Sequence, residues 1–199
     1  MRSAPIALAL LTVLATAACS DDPTAGPRPG PTGPCAAERS QPPDGSQEQR
    51  LQGDLDGDGR TDEVVSWIRD GERVAQAWLA TGENAVPEAL FSGELLSAAD
   101  LDGDGREEVL AAVSGTTGGG FALDGCRLVR LTLAANDRPW EFATGSGAAL
   151  TCRPRGIVEE AVTTGAETVR RAWTISGDSV TGANPSGSGP VTSPGIACG

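Results

Sequence analysis

Two runs of acidic residues carry the chemistry that this chain displays most openly. Asp54-Leu-Asp56-Gly-Asp58-Gly-Arg60-Thr-Asp62 returns 46 residues later as Asp100-Leu-Asp102-Gly-Asp104-Gly-Arg106-Glu-Glu108. Carboxylates at positions 1, 3, 5 and 9 gather in one small loop, and a hard cation holds such a set together. Calcium takes about six to eight oxygens at about 2.3–2.6 Å. Asp54, Asp56, Asp58 and Asp62 would supply side-chain oxygens in the first loop, with the carbonyl of Arg60 at position 7. Asp100, Asp102, Asp104 and Glu108, with the carbonyl of Arg106, would do so in the second. Gly57 and Gly59 let the backbone wrap without Cβ clashes. Carboxylates this close repel one another without metal, so the loops are expected to be ordered by two calcium ions. Magnesium prefers few protein ligands and strict octahedral geometry. Zinc would require His or a thiolate cluster. The alternative is a pair of Asp-Gly turns that hold no ion.

The first half of each loop resembles an EF-hand loop. Position 12, where that loop carries a bidentate Glu, is Val65 in one run and Ala111 in the other, and a strand pattern follows instead of a helix. Dockerin-type modules fit poorly for the same reason, since each of their Asp loops leads into a helix. The pattern D-x-D-G-D-G-x-x-[DE] followed by an apolar strand resembles the integrin-type FG-GAP and VCBS repeats. The resemblance spans residues of about 50 to 115 and continues as a pattern of strands. It implies a β-propeller in which each calcium loop lies between strands of neighbouring blades. The Phe-Gly and Gly-Ala-Pro signatures of the FG-GAP repeat are absent, so the loop positions carry over and partner-binding residues do not.

The elements that must position these loops read as all-β. Glu63–Arg69 and Val74–Thr81 flank Asp70-Gly71, and Asp-Gly between apolar runs signals a hairpin. Glu108–Ser114 begins a second unit. Phe121–Leu123 leads through Asp124-Gly125 into Arg127–Ala134, with Leu150–Cys152 expected to pair back. Ile157–Thr163, Thr168–Ser176 and Ser179–Thr181 complete the strands. The best helical window, Pro87–Leu96, is short and contains Gly93. Val74-Ala-Gln-Ala-Trp78 through Glu83 matches Val169-Arg-Arg-Ala-Trp173 through Asp178 at an offset of 95, close to twice the spacing of the Asp loops. This predicts three repeats of about 47 residues, which the resemblance implies are β-propeller-like. The middle unit would carry a Gly-rich insertion, Gly115–Gly120. In the third, the loop falls near Ala149–Ile157, where the carboxylates are gone and a disulfide at Cys152 would replace the metal. Three units are fewer than the roughly four blades of a small closed propeller. A compact three-unit domain, a four-bladed ring using residues 35–53 and the tail, and an oligomer are the solutions open. Trp67, Trp78, Trp140 and Trp173 are expected in the core.

The rest of the sequence bears on where the protein works. Arg2, the apolar stretch Ile6–Leu14 and Thr16-Ala17-Ala18-Cys19 read as an export signal over residues 1–18. The apolar stretch is well short of the roughly 20 residues that span a bilayer. Small residues ahead of Cys19 resemble a bacterial lipobox, which implies cleavage before Cys19 and a lipid anchor on its thiol. An ordinary cut after Ala18 is the alternative. Residues 19–45 hold half of the 14 prolines and read as a tether to a domain over 46–199. Cys35, Cys126, Cys152 and Cys198 suit two disulfides in an exported chain. Cys126–Cys152, across the expected hairpin, and Cys35–Cys198, joining the ends, are the favoured pairs.

The formal charge is −12, and all fifteen cationic side chains are Arg. An acidic surface argues against nucleic acid, whose affinity rests on cationic contacts to phosphate. With no His and no Lys, the usual catalytic bases are missing. The expected role is therefore a non-enzymatic, calcium-binding module for an envelope protein or glycan. A glycan hydrolase using the adjacent Glu159 and Glu160 is the alternative, and an adhesin using the Gly115–Gly120 loop is a third.

Overall fold

The computed structural model describes residues 35, 37–80, 85–87, 89–91, 93–153, 156–183 and 194–198. The export signal, Cys19 and most of the Pro-rich stretch lie outside these residues. Among the described residues there is no helix, and the strands form three sheets that do not close into a barrel.

The first sheet is an antiparallel meander of β1 (Gln49–Gly53), β2 (Asp62–Arg69), β3 (Glu72–Trp78) and β4 (Ala89–Phe91). The second contains β5 (Leu95–Ala99), β6 (Glu108–Ser114), β7 (Thr117–Asp124) and β8 (Arg127–Arg130), and β10 (Glu141–Ala143) pairs with the start of β7. The third runs β11 (Ala148–Arg153), β12 (Ile157–Thr164), β13 (Glu167–Ser176) and β14 (Ser179–Ala183). Two parallel strands flank it, β15 (Gly195–Ala197) on β11 and β9 (Thr132–Leu133) on β14. Both expected hairpins form, the second turning at Gly125-Cys126 because Asp124 still pairs with Arg127 in the strand. Asp70 and Gly71 take φ of 53° and 83°, the doubly left-handed pair that matches strand twist in a tight hairpin.

The sheets are stacked in chain order. Alternation along one strand sends successive side chains to opposite faces, and β6 and β7 use both. Val109, Ala111, Phe121 and Leu123 pack with Val64, Ala75 and Ala77 of the first sheet. Leu110 and Ala122 pack with Leu150, Val158 and Ile175 of the third. The middle sheet is thus buried on both sides, which explains the near-continuous apolar run of β6.

The register makes the three sheets comparable. Glu63 pairs with Trp78, Val109 with Phe121 and Val158 with Trp173, each one residue into the second strand of its sheet. The matched segments around Trp78 and Trp173 therefore occupy the same place in their sheets. Trp67, Trp78 and Trp140 are buried, and Trp173 packs, partly exposed, against the second core.

Several expectations are corrected. The disulfides are Cys35–Cys126 and Cys152–Cys198, not Cys126–Cys152 and Cys35–Cys198. The reason is topological: Cys126 lies in the β7–β8 turn of the second sheet, whereas Leu150–Cys152 pairs with β12 and β15 in the third instead of returning to Arg127–Ala134. Cys152–Cys198 pins the tail to β11. The tether does not extend to residue 45. Cys35 is buried, Ala37 bridges Ala85, and residues 37–47 cover the outer face of the first sheet. There Gln76 Nε2 donates to the Glu38 carbonyl at 2.9 Å, and the Ser40 N–H donates to Gln76 Oε1 at 2.8 Å.

Gly115–Gly120 is not an insertion. Gly118, Gly119 and Gly120 are buried residues of β7, and a Cβ on Gly118 would meet the Phe142 ring at 2.4 Å. The window Pro87–Leu96 holds β4 and the first residues of β5.

Candidate metal centre

Each Asp loop joins the first two strands of its own sheet, not strands of neighbouring sheets. Gly53 pairs with Asp62 and Ala99 with Glu108, so residues 54–61 and 100–107 bulge from the ends of paired strands. In the third sheet Arg153 pairs with Ile157, and the corresponding connection shrinks to 154–156.

The two loops share one hydrogen-bond pattern, which explains their sequence position by position. At position 1, Asp54 accepts from Gly57 N (2.9 Å) and Gly59 N (2.9 Å), and Asp100 accepts from Gly103 N (2.7 Å) and Gly105 N (3.1 Å). At position 3, Asp56 and Asp102 accept from Asp58 N and Asp104 N, both at 3.1 Å. At position 5, Asp58 and Asp104 accept from Arg60 N (2.8 Å) and Arg106 N (2.9 Å). At position 9, Asp62 and Glu108 accept from Leu55 N (2.9 Å) and Leu101 N (2.8 Å). The glycines at positions 4 and 6 take φ between 74° and 88°, where a Cβ is strained.

Carboxylate oxygens of Asp54, Asp56 and Asp58 lie within 4.8 Å of one another, as do those of Asp100, Asp102 and Glu108. Oxygens bound to one calcium are at most about 5 Å apart, so each triad fits such an ion in donor type and spread. The remaining expected carboxylate ligands are placed differently. Asp62 is buried, and both its oxygens turn inward, Oδ2 to Leu55 N and Oδ1 to Ala80 N at 2.8 Å. Asp104 lies outside the second triad. Arg60 is exposed and its guanidinium pairs with Asp58 at 3.1 Å, whereas Arg106 is buried and reaches the Leu123 carbonyl at 3.4 Å.

The electrostatics follow from this crowding. Burial pushes the Asp56 carboxyl above the usual aspartate range, and the nearby Asp58 and Asp54 charges add to it, against the Asp58 N–H and the Arg106 guanidinium. Burial likewise raises Asp62, partly offset by the N–H groups of Ala80 and Leu55. Both shifts mark carboxylates whose negative charge is disfavoured by burial, and of the two only Asp56 belongs to a triad that a cation would relieve.

Four contacts that sequence reasoning missed carry the loops across sheet junctions. Position 2 is a core residue: Leu55 packs between the first and second sheets and Leu101 between the second and third. Burial of one such side chain contributes about 1.5–3 kcal/mol. Glu107 Oε2 accepts from Asp54 N at 2.7 Å, and Asp102 Oδ2 accepts from Gly177 N, in the β13–β14 turn, at 2.8 Å. The only hint in the sequence was an invariant Leu at position 2 of both runs.

No family model matches this chain, and no curated protein or solved structure is significantly similar to it.

Proposed function

We propose that this chain is an exported, lipid-anchored, non-enzymatic module in which two calcium ions brace a stack of propeller-like β-repeats that binds a protein or glycan at the cell envelope. The observation that carries the reading is the twofold recurrence of one loop: the same network, a carboxylate triad, and a side chain or hydrogen bond reaching into the next sheet. An ion in each triad would draw together the ends of paired strands and stiffen the junction beside it. Extracellular modules bind calcium at about 10⁻⁴–10⁻³ M, which suits a structural brace in a calcium-rich compartment.

Further observations support parts of this reading. The recurring register of Trp78, Phe121 and Trp173 favours repeated units, and sheets stacked in chain order suit the FG-GAP/VCBS resemblance. Two disulfides suit an oxidising compartment outside the cytoplasm. In the hydrolase alternative, Glu159 and Glu160 would form the carboxylate pair. They are adjacent on β12 and point to opposite faces. Glu159 pairs with Arg153 at 2.8 Å, while Glu160 is buried and accepts from Ala143 N at 2.6 Å. That separation favours binding over hydrolysis.

The test is thermal unfolding of the mature chain in calcium and in chelator, with Asp56→Asn and Asp102→Asn alongside. A calcium-dependent rise in melting temperature that each substitution reduces is the expected result. Identical melting in calcium and chelator would reduce the loops to plain turns and remove the brace.

A further inference from the structure

The third sheet departs from its neighbours at one position. Two residues beyond the aromatic pair of each sheet, the second strand holds Val65, Ala111 or Glu160, and the facing residue on the third strand is Gln76, Gly119 or Arg171. Val65 and Ala111 are apolar core. Glu160 is a carboxylate with its side chain only 2% exposed, set against an Arg171 guanidinium 3.5 Å away that is 57% exposed. Beside this pair a cleft of about 450 Å³ lies between β12–β13 and the edge formed by β10 and the β6–β7 turn. Phe142, Val162 and Val169 supply its apolar wall, and Val169 is 52% exposed.

The molecule itself shows what the same place on a sheet can hold. On the first sheet, Gln76 occupies the position of Arg171, and its amide grips an extended stretch of chain. It donates to the carbonyl of residue 38 and accepts from the N–H of residue 40, two groups that point the same way from an extended backbone. In the third sheet the donor and acceptor are divided between two side chains. The Arg171 guanidinium has five N–H donors for a carbonyl, and Glu160 Oε2, whose partner oxygen is occupied by Ala143 N, accepts only a long 3.5 Å bond from Arg171 and keeps lone-pair capacity for a backbone N–H. The pair is neutral overall, and Glu141 on the rim is itself paired with Arg130 at 3.1 Å, which matches an uncharged backbone and not an ionic ligand.

We propose that this cleft binds an extended peptide segment of a partner protein, through its backbone to Arg171 and Glu160 and through one apolar side chain against Phe142, Val162 and Val169. The inference rests on the reading of the chain as a binding module and names its partner class; it does not depend on calcium.

The experiment is selection of a phage-displayed library of short random peptides on the mature chain in calcium. Affinities of the enriched peptides are then measured for the wild type, Val169→Arg and Arg171→Ala. Val169 is largely exposed, so Val169→Arg should leave thermal melting unchanged, whereas Arg171→Ala removes the partner of the buried Glu160 carboxylate and its affinity is read below its own melting transition. Each substitution is expected to weaken binding at least about tenfold, and N-methylation of the peptide at one backbone position should abolish it. Failure to enrich any peptide, or equal binding to Val169→Arg, would overturn the proposal. Soluble oligosaccharides whose binding is lost in Val169→Arg would overturn it too, in favour of a glycan site. In each of these outcomes calcium-dependent melting is read separately, so the brace stands or falls on its own.

Discussion

Glu107 clasps Asp54 through two hydrogen bonds: its Oε2 accepts from Asp54 N at 2.7 Å, and its own N–H donates to the Asp54 carbonyl at 2.8 Å. The end of the second Asp loop thereby holds the start of the first, across the junction between two sheets. The side-chain half of this clasp can be removed alone. Glu107→Ala leaves the Asp54 N–H without its acceptor and should cost about 1–3 kcal/mol. Glu107→Gln retains a side-chain oxygen and should cost less. Urea unfolding of both variants measures the difference, and equal stability of Glu107→Ala and wild type would show that the clasp contributes nothing.

The two position-3 aspartates should respond differently once calcium is removed. Asp56 uses one oxygen on a backbone N–H, which Asn preserves, and the substitution removes a charge that burial disfavours. Asp102 uses both oxygens, on Asp104 N and on Gly177 N of the third sheet, and Asn has one acceptor for the two. In chelator, Asp56→Asn should therefore be neutral or stabilising, and Asp102→Asn should lose about 1–3 kcal/mol. In calcium both should lose most of the ion-dependent stabilisation. Parallel melting curves in the two buffers decide it. The prediction fails if the two variants behave alike in chelator.

The raised carboxyls of Asp56 and Asp62 give the ion-free protein a pH dependence of definite sign. An acid whose folded value lies above its unfolded value binds protons more readily when folded. Its contribution to stability is full below the unfolded value, about 3.9 for Asp, and is lost as pH rises through the folded value. In chelator, melting temperature should fall with rising pH across that window, and Asp56→Asn should flatten the fall. In calcium the trend should reverse, because the ion binds only the ionised carboxylates. A pH series in each buffer tests both signs.

The parts of the fold legible in the sequence were those set by local chemistry. The Asp loops, the Asp70-Gly71 turn and the hairpin at Gly125, one residue later than the Asp-Gly signal placed it, announce themselves because left-handed backbone and short-range carboxylate contacts need particular residues at fixed spacing. The strands before the loops were missed, since Gln49-Arg-Leu-Gln-Gly53 is mostly polar and Leu95–Ala99 has no β-branched residue. Their pairing with β2 and β6 is what makes each loop an excursion within one sheet. The two disulfides were expected, but their pairing was missed, because which half-cystines meet depends on how the sheets stack, a relation that no local pattern encodes. Glu160 gave no signal of its own: a Glu-Glu pair on a strand reads as solvated, and only the tertiary fold buries one of the two.

The corrected pairing makes a prediction about redox stability. Cys35–Cys126 closes a span of 91 residues and ties the segment over the first sheet to the second sheet, while Cys152–Cys198 closes 46 within the third. Paired Cys35→Ser and Cys126→Ser substitutions should cost about 2–5 kcal/mol and loosen the cover on Trp67 and Trp78. A peptide map of the non-reduced protein should show these two links, and a Cys126–Cys152 peptide would refute the sheet assignment of β11.

The buried glycines of β7 are a matter of space, not of flexibility. Gly118 lies under the Phe142 ring, and a Cβ on Gly120 would come within 2.6 Å of Leu131 and 3.1 Å of Trp140. Glycine ordinarily weakens a strand, so its repeated use here means that the backbone of β7 serves as the floor on which β10 and the residue just before it set Phe142 and Trp140. Overpacking a filled core costs about 1–3 kcal/mol. Gly118→Ala should pay that amount and displace Phe142, which also forms one wall of the cleft beside Glu160 and Arg171. A compensating Phe142→Leu in the same chain should recover part of the loss, because the smaller side chain vacates the space that the new methyl group takes. The double variant melting no higher than Gly118→Ala alone would mean that the strain lies in the β7 backbone and not in the ring above it.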